Sequence, residues 1–65
     1  MKVKVFRKDK EVGWFKRVDH GANAIINSCK THGFDITEFY FTDFEDTKKI
    51  VWKGEKSMIE GTQVV

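Results

Sequence analysis

The feature that most restricts this chain is a change of hydrophobic period, from two to helical and back. Residues 2–8 alternate, with Val3 and Val5 on one side and Lys2, Lys4 and Lys8 on the other. That is the signature of a half-buried strand. From Ala22 to His32 the period becomes helical: at about 100° per residue, Ala22, Ile25, Ile26 and Cys29 share one stripe. Alternation returns from Ile36 to Phe44, with Thr37, Phe39, Phe41 and Asp43 on one face and Ile36, Glu38, Tyr40, Thr42 and Phe44 on the other. In 65 residues, one helix between two pairs of strands has few ways to bury both apolar sets. The expected fold is α+β: a single small domain over residues 1–65, with an antiparallel four-stranded sheet in ββαββ order and the helix on one face. A small curled barrel plugged by the helix is the alternative.

Finer assignments follow from local chemistry. Val12–Val18 reads as the second strand, with Asp9, Lys10 and Glu11 as the turn before it. A register slip of one residue there exchanges Trp14 and Phe15 between core and solvent. Asp19 or Asn23 is expected to cap the helix start, with Gly21 blurring the boundary. Gly33 stands where a left-handed C-terminal cap belongs, and Phe34 can fold back over the last turn. Residues 49–53 form the strand that matches 36–44. A turn centred on Asp46-Thr47 sets Phe41 opposite Trp52, Asp43 opposite Ile50 and Phe39 over Gly54. This register gathers Phe39, Phe41, Ile50 and Trp52 on one face and puts Tyr40 beside Lys53 on the other. Residues 55–65, with Met58-Ile59 and Val64-Val65 around Gly61, are expected to add an edge strand or to fray.

Composition narrows the function classes. No apolar run approaches the roughly 18 residues of a membrane span, so no membrane role is expected. Residues 1–8 alternate charged and apolar groups and carry no signal-peptide stretch. A single cysteine rules out an intrachain disulfide and fits the reducing cytoplasm. Twelve basic against ten acidic residues give a net charge of only +2, short of the strongly basic balance of many nucleic-acid binders. The distribution is uneven, however. Seven bases and three acids fall within residues 1–20, so that third carries +4 and the remainder −2.

Chemistry-bearing constellations are sparse. Cys29 and His32 lie three apart on the helix, but Cys29 sits mid-stripe, where an unbridged cysteine acts as a small core residue. No catalytic residue is therefore assigned. One Cys and two His fall short of a structural zinc site, and Asp43, Glu45 and Asp46 lack the spacing of a calcium loop. No metal and no cofactor are expected.

Two binding surfaces remain. The acidic turn at Asp43, Glu45 and Asp46, beside Tyr40 and Phe44, suits a basic groove on a larger protein. Residues 20–34 hold one formal charge, Lys30, so the outer helix face with Asn23 and Asn27 is cheap to desolvate. Read as a complete chain from Met1, a domain of this size is expected to be a monomer or small homo-oligomer. Its expected action is non-enzymatic: occupying a surface of a larger protein partner, with a nucleic-acid-binding protein as one such partner, as a regulator or inhibitor. The scale is that of phage or mobile-element inhibitors such as anti-CRISPR and anti-restriction proteins. The alternative is a sequence-tolerant nucleic-acid binder using Lys2, Lys4, Lys8, Lys16, Arg17 and Trp14 of the N-terminal hairpin.

Overall fold

The computed structural model describes residues 1–60 and is α+β, with the elements in the order β1 Val3–Arg7, β2 Lys10–Phe15, α1 Val18–His32, β3 Phe39–Asp43, β4 Ile50–Lys53 and α2 Ser57–Glu60. The four strands form one antiparallel sheet in the order β2-β1-β3-β4. It is open, so the barrel alternative does not apply: β2 and β4 are its edges.

The sheet's α1 side carries the core. Val3, Val5, Phe39 and Phe41 point there and are buried together with Cys29 of α1 and Ile36. Phe41 is fully buried at the centre, stacked on Trp52 at 4.4 Å between ring centroids and tilted against Phe15 at 6.0 Å. Burying one such ring contributes about 2–3 kcal/mol. The partly exposed Arg7–Glu38 ion pair, at 3.1 Å, is worth less than about 1 kcal/mol. Packing of the aromatic cluster therefore sets the stability.

Helix α1 starts at Val18, four residues before the expected Ala22, and β2 ends at Phe15 rather than Val18. The cause is Gly21. It is buried in the first turn, and an added Cβ would lie 2.8 Å from the Phe15 ring and 2.9 Å from the Phe41 ring. The glycine lets the helix close on the sheet instead of marking its boundary. Arg17 is the N-cap residue and supplies no side-chain cap; Asp19, inside the first turn, accepts from the His20 N–H at 2.9 Å. Gly33 caps the C-terminus at φ 76°, donating to the Cys29 carbonyl oxygen, as expected. Phe34 does fold back, stacking on His32 at 5.3 Å.

Three further differences have local causes. The Asp35 carboxylate accepts from both the N–H and the hydroxyl of Thr37, turning Ile36–Glu38 into a 3-10 turn. Strand alternation therefore starts only at Phe39, and Ile36 is buried instead of sharing a face with Tyr40. A bulge between Phe41 and Thr42 pairs Ile50 with Thr42 rather than with Asp43. Ile50 leaves the core and is 53% exposed, while Phe41–Trp52 and Tyr40–Lys53 pair as expected. Residues 57–60 form the short helix α2 where an edge strand was expected, and the rest of that expectation falls on residues 61–65, outside the described ones.

The β1–β2 turn is Lys8-Asp9, with φ of 52° and 65°, tighter than the expected Asp9–Glu11 connection. Two-residue hairpins favour this left-handed geometry because it matches strand twist. A lysine there is strained, whereas aspartate tolerates it.

Two glycines and this turn yield tests by thermal melting. Gly54→Ala drives a Cβ into the Ile36 carbonyl oxygen, a backbone atom that cannot yield. We expect a loss of about 2–3 kcal/mol, or more than about 10 °C in Tm. Gly13→Ala meets nothing within 4 Å and is expected to leave Tm unchanged or slightly raised. Lys8→Asn relieves the left-handed strain and gives up only an exposed contact to Glu38 at 3.7 Å. Its Tm is expected to rise by a few degrees, on the order of 0.5–1 kcal/mol.

Candidate nucleic-acid interface on the open sheet face

A single helix covers a single face. On the other face alternation places Lys4 and Phe6 of β1, Trp14 of β2, Tyr40 and Thr42 of β3, and Ile50 and Lys53 of β4. Lys2 and Phe44 extend this surface, joined by a hydrogen bond from the Phe44 N–H to the Lys2 carbonyl at 3.3 Å. The Trp14-or-Phe15 question is thereby answered: Phe15 packs against the core and Trp14 lies on the open face, 50% exposed.

The rings on this face form two pairs. Phe6 and Tyr40 are cross-strand partners, stacked at 5.2 Å with 4° between ring planes. Trp14 and Phe44 meet edge to face at 5.9 Å. Between the two pairs runs the Lys4–Thr42 rung, and Thr42 is wholly buried beneath its neighbours, its hydroxyl donating to the Asp43 carbonyl at 3.0 Å. Tyr40 and Phe44 are four residues apart on one strand line, so the pairs stand about 13 Å apart.

Ammonium groups cluster at one end. The Lys2 ammonium lies 5.1 Å from the Trp14 ring centroid and 4.7 Å from that of Phe44, and the Lys4 ammonium 5.4 Å from Phe44. Such contacts at exposed sites are worth about 0.5–1 kcal/mol each, weak enough for the ammonium to turn toward a phosphate. Glu11 is 3.5 Å from the Lys4 ammonium. At the opposite end the Tyr40 hydroxyl donates to Asp9 Oδ1 at 2.9 Å.

Of the residues expected to bind nucleic acid, Lys2, Lys4 and Trp14 come together here. Lys8 lies in the turn against Glu38, Lys16 is exposed beyond β2, and Arg17 is held by Asp19 through two contacts of 3.1 and 3.0 Å. The residues expected at a protein interface do not form one group. Tyr40 alternates to the open face and Asp43 to the opposite one, while Glu45 and Asp46 are exposed in the β3–β4 turn. Asp46 accepts from the Lys48 N–H at 3.1 Å and so shapes that turn. Asn23 and Asn27 are exposed on a different element, α1. Phe6, Phe44, Lys53 and Asp9 join the open face as well; the alternation of 2–8 and 36–44 already paired Tyr40 with Phe44.

Elsewhere the chemistry is sparse. Burial pushes the Cys29 thiol up, which disfavours a reactive thiolate, and the neighbouring His32 ring is stacked on Phe34. Among the described residues no group of three or more His, Cys, Asp or Glu could hold a metal ion. No helix among them is long and apolar enough to cross a membrane. A cavity of about 180 Å³ lined by Phe34, Asp35, Ile36, Lys56 and Ile59 is smaller than the ~300 Å³ at which ligand pockets begin. No known protein family matches the chain, and no curated protein or solved structure matches it either.

The Tyr40–Asp9 contact can be read directly. The hydrogen bond to Asp9, then burial, then the carboxylate's charge hold the phenol above its ordinary pKa. A raised value means that its contribution to stability is present below the unfolded-state pKa and is lost as pH rises through the folded one. Ultraviolet titration is expected to show Tyr40 ionising later than free tyrosine, and Asp9→Asn to bring it back toward the ordinary value.

Proposed function

We propose that this protein binds single-stranded nucleic acid on its open sheet face. The observation that carries the reading is the convergence of two aromatic pairs with the Lys2 and Lys4 ammoniums on the one face that α1 leaves uncovered. Aromatic rings accept unstacked bases whatever their identity, and lysines track the phosphates between them. Lysine is a point charge without the planar fork of arginine, so the contacts at this end position a strand without reading it. Of the acids nearby, Glu11 is paired with Lys4, and Asp9 accepts from the Tyr40 hydroxyl and keeps its charge.

Fluorescence titration with labelled single-stranded oligonucleotides tests this. About three phosphate contacts, from Lys2, Lys4 and Lys53, give a log–log salt slope near −2, or about a twentyfold loss of affinity between 50 and 200 mM salt. Lys2→Gln with Lys4→Gln is expected to reduce that slope by about 1.4. Trp14→Ala, half exposed and outside the core, is expected to weaken binding about tenfold or more, with Tm lower by only several degrees from the lost Phe44 and Lys2 contacts. Absence of binding at the lower salt, or full affinity in both variants, overturns the reading. The surface of a larger protein is then the next target, through Asn23, Asn27 and the turn with Asp43, Glu45 and Asp46.

A further inference from the structure

We infer that the Phe6–Tyr40 end of the open face selects the base it stacks, favouring guanine over thymine or uracil through the Asp9 carboxylate. This rests on the single-strand reading above and adds to it a specificity that the lysine end lacks.

The two ends of the open face differ in the acceptor they leave for a base. Near Trp14 and Phe44 the Lys2 and Lys4 ammoniums only donate, and the Glu11 carboxylate beside them is paired with Lys4 at 3.5 Å. Beside Phe6 and Tyr40 stands Asp9, which only accepts. The ion pairs among the described residues join Lys4 to Glu11, Arg7 and Lys8 to Glu38, and Arg17 to Asp19, so none neutralises Asp9. Lys53, the cross-strand partner of Tyr40, meets the phosphate at this end, and the Asp9 carboxylate is left to attract a base edge with hydrogen-bond donors.

The carboxylate is also held in place. The tight turn at Lys8-Asp9 fixes its backbone, and the Tyr40 hydroxyl fixes Oδ1 at 2.9 Å, at the rim of the stacked ring pair. Oδ2 and the remaining lone pair of Oδ1 stay open to a ligand. A base lying on the pair brings its Watson–Crick edge to that rim. Guanine presents adjacent N1–H and N2–H donors there, matched to the two oxygens of a carboxylate. Cytosine and adenine present one amino group. Thymine and uracil present a single N3–H between two carbonyl oxygens, each of which Asp9 repels.

The test compares an eight-nucleotide oligothymidylate with the same strand carrying one central deoxyguanosine, at low salt. The guanine-containing strand is expected to bind about fivefold or more tightly. Asp9→Asn is the informative variant, because asparagine tolerates the left-handed backbone and its amide oxygen can still accept from Tyr40. It is expected to erase the preference while binding oligothymidylate at least as tightly as the parent. Equal affinity of the parent for both strands overturns the selectivity and leaves the single-strand reading standing. A preference that survives in Asp9→Asn overturns the assignment to Asp9. Failure to bind either strand overturns both proposals.

Discussion

One helix cannot cover both faces of a four-stranded sheet, and nearly everything else in this structure follows from that shortage. The apolar stripe of α1 closes on Val3, Val5, Phe39 and Phe41, and the contact is as close as it is because Gly21 has no side chain to hold it off. The other face has no covering element among the described residues. It shields itself with its own large side chains, and Thr42 disappears beneath them. Rings and lysine stems lie where a second layer would otherwise be, and the same groups give the face its chemistry.

The two aromatic systems differ in kind although they share strands. Phe15, Phe41 and Trp52 interlock against the helix and are fixed by packing. Phe6, Tyr40, Trp14 and Phe44 are paired ring to ring, but Trp14 remains half exposed. Leaving apolar ring area such as that of Trp14 in water costs free energy that burial under a ligand recovers. That cost is the physical reason to read the face as a binding surface.

Alternation made part of this legible. Tyr40, Thr42 and Phe44 share a face because strand side chains alternate, and Phe41–Trp52 and Tyr40–Lys53 pair because the turn at Asp46-Thr47 sets the register. Where backbone geometry broke the period, the pattern misled. The bulge after Phe41 carried Ile50 out of the core, and the Asp35 hydrogen bonds to Thr37 moved Ile36 into it. The choice between Trp14 and Phe15 depended on a contact between Phe15 and a glycine six residues further on. Position in the sheet was hidden for a different reason: nothing local announces that β1 and β3 are neighbours, and it is their pairing that brings Lys2 to Phe44 and Phe6 to Tyr40.

That central seam also has a kinetic meaning. Val3 pairs with Asp43 and Arg7 with Phe39, so the middle of the sheet is stitched between the two most distant strands of its first three. The intervening chain, roughly thirty residues including all of α1, has to be closed into a loop before β1 gains its second neighbour. The β1–β2 hairpin is sequence-local, yet its turn contains a strained lysine and its partner strand is bulged, so it is a poor seed on its own. Folding of this small domain is thereby tied to a long-range event. A pairing of that sequence separation slows folding relative to a fold built only of local hairpins.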